Sequence, residues 1–473
     1  MHGVARRVRV TALLWAALSA CADERAPTAR PSFVLILADD LGWADVGYQG
    51  SRFHRTPELD RLARDGLVFS EAYAASPVCS PSRAALVTGL APARLHLTAV
   101  LGANTPTADA EEREVELADG SVLIEPTVVE RLPDGVPTVA ARLASEGYRT
   151  AWIGKWHLGG RPSDFGFEHV LADSSAGATA SYFSPYGIPT LPDGPAGEYL
   201  TDRLTDEALR FLEENRAQPF LLVVSHYAPH LPLQAPPELV AEYQARAEPS
   251  APQHNPIYAA MLERLDASVG RVRAELERLE LAERTLFVFT SDNGGFEEKR
   301  VERQRHVVGR AASSETYAIT SNRPLRGGKG RVYEGGVRVP LVAWGGPLAR
   351  TGTCAVPVIG TDLVPTFLAL AGCAPLALSD GLDLAPLLAG ASVLARAELA
   401  FHFPHQASQS ALRRGDEKLV YSWATETSEL FDLAADPSEA RDLAHERPER
   451  AAELRAGLFA WLDAVGAERP RRR

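Results

Sequence analysis

The chain has 473 residues, 45% of them apolar, and a formal net charge of −12. That length and apolar content suffice to bury one large core and a smaller second one, while the acidic balance argues against a general nucleic-acid surface. No motif recurs at a period of 20 to 50 residues, which argues against a solenoid or propeller.

Residues 1–20 carry Arg6, Arg7 and Arg9 and then the apolar run TALLWAALSA, the pattern of a secretory signal too short to span a membrane after processing. Leu18-Ser19-Ala20-Cys21 has the form of a bacterial lipoprotein box, so Cys21 is expected to become a lipidated first residue, with ordinary cleavage near Ala20 as the alternative. A lipid there tethers the protein to a membrane without spanning it, and residues 21–31 serve as the linker. The expected location is periplasmic or cell-surface. Loss of three arginines from the 49 basic residues, set against 61 acidic ones, moves the mature charge to about −15. An acidic shell around a locally cationic pocket suits an exported enzyme whose field is focused at one cleft.

The run FVLILA, residues 33–38, is a short continuous apolar segment of the kind that fills the middle of a parallel sheet, and it ends in Asp39-Asp40. Thr56-Pro57-Glu58 opens a helix that continues through Asp65 and stops at Gly66, with Leu59, Leu62 and Ala63 facing inward. Cys79 to Gly89, CSPSRAALVTG, forms a strand-to-helix turn in which Pro81 suits the first helical positions and Arg83 follows one turn from the thiol. A strand around YRTAWI leads into Gly154-Lys155-Trp156-His157-Leu158-Gly159, and FLLVVSHY leads into Ala228-Pro229-His230. An amphipathic helix spans about 257–281, with Met261, Leu265, Val269, Val272, Leu276 and Leu279 as its core stripe. TLFVFT, residues 285–290, ends in Ser291-Asp292-Asn293-Gly294. Arg326-Gly327-Gly328-Lys329-Gly330 follows, then Glu334-Gly335-Gly336-Val337-Arg338, and a helix from Asp362 to Ala371 stops at Gly372. ALRRGDEKLVYSW gives two short strands around Gly415-Asp416. The closing arginines, 469–473 apart from Pro470, are expected to be disordered.

In open α/β sheets, ligands collect at the carboxyl ends of the strands. Asp39, Asp40, Asp292 and Asn293 all fall there and offer only oxygen, so a hard cation is expected, Ca²⁺ before Mg²⁺ and not Zn²⁺. His226 and His402 are assigned to packing or surface. Cys354 and Cys373 either pair or remain thiols.

The segment Cys79 to Gly89 resembles the signature of the type I sulfatases. Cys79, Pro81 and Arg83 fill the Cys-x-Pro-x-Arg core, and Ser82, Thr88 and Gly89 match the longer pattern. The resemblance implies that a formylglycine-generating enzyme converts Cys79 to Cα-formylglycine, whose hydrate attacks sulfur with one hydroxyl and expels sulfate with the other. Asp39-Asp40 and Asp292-Asn293 match the family's calcium motifs beside that residue, with position 79 itself also on the metal. The segments around Lys155 and His157, His230 and Lys329 match its active-site segments, which implies that these four side chains and Arg83 surround the sulfate. His230 and Lys329 are then the expected donors to the leaving alcohol and His157 the base of the second step. Ala180 departs from the polar residue common in relatives, and Ser181 is given no role.

The expected fold class is α/β, a large mixed sheet sandwiched by helices as in alkaline phosphatase, with a smaller C-terminal α+β domain. Boundaries are placed at 32–390 for the catalytic domain and 391–473 for the small one, where DGLDLAPLLAG and ELFDLAADPSEARDLA resemble the family's domain link and tail. Residues 101–135 and 296–322 are expected to wall the pocket mouth, the latter with Glu297, Glu298, Lys299, Arg300, Arg303, Arg305 and His306. The expected substrate is a sulfated carbohydrate. A phosphonate or phosphodiester hydrolase of the same superfamily is the main alternative, although Asp292-Asn293 stands where those relatives tend to carry Asp-His. An unmodified phosphatase would usually need a serine or threonine nucleophile and Zn²⁺-type histidines. A non-catalytic lipoprotein that binds sulfated glycan is disfavoured by the intact residue set.

Overall fold

The computed structural model describes residues 30–102, 107, 113–248, 250–297 and 318–473. The expectations for the signal segment, Cys21 and residues 298–306 lie outside them. No helix among the described residues is long and apolar enough to cross a membrane.

Eight strands form the large sheet. Ser32–Ala38 lies at its centre, flanked in parallel by Phe220–Ser225 and Thr285–Ser291. Arg149–Gly154 and His169–Leu171 extend the parallel side. On the other side, Leu341–Trp344 runs antiparallel to Thr285–Ser291 and to Leu67–Phe69, beyond which Gly352–Cys354 forms the edge. The continuous apolar runs follow from burial on both faces. Val34, Ile36, Leu222, Val224, Phe287 and Phe289 join one core cluster, while Phe33, Leu35, Leu221, Val223, Leu286 and Val288 join the other. Because side chains alternate at every residue, a one-residue slip would exchange these two sets.

The helix Pro57–Asp65 has the expected bounds, but Thr56 does not cap it. Thr56 Oγ1 instead accepts from Gly47 N and donates to Asp60, while the Asp266 carboxylate of helix Pro256–Arg278 accepts from the N–H groups of Glu58 and Leu59 at 3.1 and 2.8 Å. Cys79–Thr88 is helical and buried at every residue. Cys354 and Cys373 are both free thiols. His226 and His402 are buried packing residues: His226 lies 3.0 Å from Ser268 Oγ, and burial lowers its pKa to about 3.

A four-stranded antiparallel sheet, Leu399–Phe403, Gln409–Arg414, Glu417–Ser422 and Thr427–Asp432, follows. One face packs Leu412, Leu419 and Leu430 on Leu454, Leu458 and Leu462 of the helix Pro448–Ala464. The opposite face carries Phe401, Phe403, Val420 and Phe431 onto Tyr73, Val78, Val332 and Val337 of the large domain. The terminal arginines correct the expectation of disorder. Arg471–Arg472 pairs as an edge strand with Val122–Ile124, Arg472 forms an ion pair with Asp119, and Arg473 lies 2.7 Å from Glu114. Acidic partners on a neighbouring hairpin give the tail a docking site that its own composition does not reveal.

The two domains also share a buried ionic cluster. Lys418 Nζ lies 2.8 Å from Glu334 and 3.0 Å from Glu439, and all three are essentially excluded from solvent. Burial pushes Glu439 up to about 7, whereas Lys418 and Arg338 hold Glu334 below the usual carboxylate range despite its burial. Lys418→Ala would leave two buried carboxyl groups without their cation and should cost about 3–5 kcal/mol. Urea unfolding checks this, and an unchanged midpoint would contradict it.

Candidate active site

Four parallel strands deliver their functional residues to one carboxyl edge. Ser32–Ala38 ends at Asp39 and Asp40, Arg149–Gly154 at Lys155, Phe220–Ser225 five residues before His230, and Thr285–Ser291 at Asp292 and Asn293. The helix that starts at Cys79 closes the same edge. Two non-glycine residues here occupy the left-handed region, Asp40 at φ 64° and His157 at φ 59°, conformations that surrounding contacts must enforce. Gly154 is required before Lys155: its φ is 107°, and a Cβ would sit 2.0 Å from Ser225 O.

The charged groups interlock. Arg83 Nε donates to Asp292 Oδ2 at 2.8 Å, and Nη1 donates to Lys155 O at 2.8 Å and to Ser225 Oγ at 2.6 Å. Lys155 Nζ is 2.5 Å from Asp39, and Lys329 Nζ is 2.7 Å from Asp40. Cys79 Sγ lies 3.5 Å from Asp39 Oδ1 and 3.9 Å from Asp40 Oδ1, and His230 Nε2 is 3.6 Å from Asp40 Oδ2. Asn293 Nδ2 donates to Asp40 Oδ1 at 2.8 Å. All ten residues singled out in the sequence therefore meet, His157 through its electrostatic coupling to Lys155, Arg83 and Lys329.

The two histidines differ in what they can do. His157 Nε2 faces Leu101 O at 2.7 Å; a carbonyl only accepts, so this nitrogen carries the hydrogen. Nδ1 is then a bare lone pair, buried and without a partner. Burial and the Lys155 charge hold this ring well below the ordinary histidine pKa, so it is neutral. By the same reasoning, His230 Nδ1 donates to Leu231 O at 2.8 Å, leaving Nε2 toward Asp40. Burial and Lys329 lower His230 to about 3. Burial outweighs the pull of Lys155 and Lys329 and pushes the Cys79 thiol up to about 12.

The same pocket fits a hard cation. Ligand atoms of Asp39, Asp40, Cys79 and His230 lie within 4.8 Å of one another. Asn293 Oδ1 is buried with no partner, and burial together with Asp39 pushes Asp292 up to about 6. An orphan amide oxygen among crowded carboxylates is the donor set of an oxygen-seeking divalent ion.

Several positioning residues escaped the sequence. Ser225 holds Arg83 and bonds Lys155 O at 2.7 Å; its place at the end of a core strand was the available signal. Tyr182 bridges Tyr227 O and His230 O at 2.6 and 2.8 Å. Ser181 Oγ donates to Phe183 O and Gln234 Oε1 and accepts from Phe183 N, all outside the charged cluster.

With this geometry in hand, comparison with known proteins is informative. The Sulfatase family model matches residues 31–373. Mouse steryl-sulfatase is 30% identical over 92% of this chain and 81% of its own length. Human N-acetylgalactosamine-6-sulfatase is 32% identical over 76% of this chain and 66% of its own. The crystal structure of Ps i-CgsB in complex with k-i-k-neocarrahexaose superposes with a TM-score of 0.73 at 28% identity, covering 92% of this chain and 93% of that one. The chain belongs to the sulfatase family. It is a sulfuric ester hydrolase, and its large mixed sheet with a smaller antiparallel-sheet domain is the fold of its structural neighbours.

Ser225→Ala should remove a hydrogen bond to a buried guanidinium and destabilise the protein by about 1.5–3 kcal/mol. Chemical denaturation measures that loss, and a value near zero would show that Lys155 O and Asp292 suffice to hold Arg83.

Proposed function

We propose that this enzyme hydrolyses the sulfate ester of a carbohydrate, with formylglycine at position 79 as nucleophile and Ca²⁺ held by Asp39, Asp40, Asp292 and Asn293. The observation that carries the reading is the packing of Arg83, Lys155, Lys329 and His230 around three carboxylates and the buried Cys79 thiol. A sulfuryl group gathers negative charge on its oxygens in the transition state, and fixed cations in a water-poor pocket stabilise it. The carbohydrate assignment is supported by a relative named for N-acetylgalactosamine 6-sulfate and a structural neighbour bound to a neocarrahexaose.

Cys79 Sγ stands where the carbon-bound oxygens of formylglycine would be, and that residue, once formed and hydrated, would supply the hydroxyl nucleophile. A calcium ion held by Asp39, Asp40, Asp292 and Asn293 would supply Lewis-acid charge stabilisation at this site. Lys155 and Lys329 each lie within reach of a metal-side carboxylate and present their charge to the sulfate. Lys329 and His230 flank Asp40 on one side, which suits protonation of the departing alkoxide. Burial and then Lys329 hold His230 low, and a bound sulfate anion would offset the Lys329 repulsion and raise the donor's pKa toward its ordinary value. His157 Nδ1, neutral and unpartnered, is the base that removes the hydroxyl proton in the second step.

Upstream, we assign residues 1–20 to an export signal and Cys21 to a lipid anchor, which places the enzyme in the periplasm or at the cell surface.

Co-production with a formylglycine-generating enzyme should convert the Cys79 peptide from thiol to aldehyde mass and give turnover of 4-nitrophenyl sulfate. Cys79→Ala should abolish that turnover with the fold intact. An unmodified, calcium-loaded enzyme that remains fully active would refute the nucleophile. His230→Ala should slow alkyl sulfates by about 10²–10⁴ and activated aryl sulfates much less. Equal losses on both substrates would remove His230 from the donor role.

A further inference from the structure

The small-domain loop 404–408 lies beside Gly330, next to Lys329, and is fixed by buried polar contacts to the large domain. His405 is 1% exposed and bridges two segments of the large domain: its Nε2 lies 2.9 Å from Thr98 Oγ1 and its Nδ1 3.3 Å from Glu125 Oε2. Glu125 is 3% exposed, and its other oxygen accepts the backbone N–H of Gln406 at 2.7 Å. Arg113 approaches the same carboxylate at 3.5 Å. A buried carboxylate and imidazole cost desolvation energy, which their mutual hydrogen bonds must offset. Gln406 and Ser408 both adopt left-handed backbone, φ 51° and 49°, without being glycine. Such strain persists where the surroundings over-determine it and concentrates at ligand clamps.

What this framework presents is Gln406. Its side chain is exposed and hydrogen-bonds no other described residue, and its Oε1 lies 3.8 Å from where a Cβ on Gly330 would stand. Gly330 follows Lys329 directly and donates its N–H to Pro77 O at 2.8 Å, two residues before Cys79. The Thr98 side of the clamp is tied to the same centre, since Leu101 N donates to Ser80 Oγ at 3.1 Å while Leu101 O holds His157. A primary amide offers two donors and an acceptor, the complement of sugar hydroxyl and acetamido groups and of little use to an aryl or sterol skeleton.

We propose that Gln406 is a specificity-determining residue that hydrogen-bonds the sugar carrying the sulfate, and that Glu125, His405 and Thr98 are the positioning residues that aim it. The inference rests on the carbohydrate reading above. It is tested by steady-state kinetics of the mature enzyme, Gln406→Ala and Glu125→Gln on 4-nitrophenyl sulfate and on a panel of N-acetylgalactosamine 6-sulfate, N-acetylglucosamine 6-sulfate, galactose 6-sulfate and galactose 4-sulfate.

On the best sugar of the panel, both variants should lose about five- to tenfold in kcat/KM, carried mainly by KM, while the aryl sulfate changes less than twofold. Equal losses on sugar and aryl substrates, or no loss on either, would overturn the role of Gln406 and leave the carbohydrate reading standing. A wild-type enzyme that turns over the aryl sulfate but no sugar would overturn both together. Loss through Glu125→Gln without loss through Gln406→Ala would overturn the aiming scheme.

Discussion

Asp39, Asp40 and Asp292 are buried side by side, and the repulsion among these three carboxylates is the constraint that the rest of the site answers. Neighbouring strands in a sheet are about 4.8 Å apart, so carboxylates at the ends of adjacent strands cannot avoid one another. The protein meets the repulsion with one cation for each carboxylate: Lys155 on Asp39, Lys329 on Asp40 and Arg83 on Asp292. Those same cations are what a sulfate ester needs around it. Under the proposed function, the side chains that offset the carboxylate repulsion and those that would receive the sulfate are one set.

Because every member of this set except Lys329 is nearly solvent-free, its geometry has to be imposed by packing. The two-sided core of the large sheet fixes the strand ends, and the Arg83 side chain is further pinned by Ser225 and Lys155 O. The small domain adds a second layer of restraint. Its sheet presses Phe401 and Val420 onto the segment that carries Tyr73 and Val78, and its Lys418 neutralises Glu334 four residues after Gly330. An apparently peripheral antiparallel sheet thus bears on both walls of the pocket.

The large domain was legible because its signals are local. Apolar runs ending in Asp39-Asp40 and Asp292-Asn293, and a Cys-x-Pro-x-Arg turn, each state an element and a site in fewer than a dozen residues. What was not legible depends on partners far away in sequence. Nothing near Pro57 shows that Asp266, on a different helix, supplies the carboxylate to the first N–H groups of that helix. Lys418, Glu125 and His405 each look like ordinary polar residues of a strand or loop, and only their partners 84 to 281 residues distant show them to be buried. The terminal arginines failed for the same reason: a short basic run looks solvated unless Asp119 and Glu114 are known to face it.

The full burial of Cys79 has a consequence in time. Every residue from Cys79 to Thr88 is inaccessible in the folded chain, and Cys79 itself is 1% exposed, so no enzyme could grip the Cys-x-Pro-x-Arg segment once folding is finished. The contacts that seal it come from Asp292, from Val332 and Val337, and finally from the sheet containing Lys418, all synthesised later. At ordinary translation rates of about 5–20 residues per second, the interval between the emergence of Cys79 and that of Lys418 is on the order of 20–70 s. Any chemistry that must reach that thiol has this interval in which to act, and a chain that folds without it has locked the unmodified side chain inside.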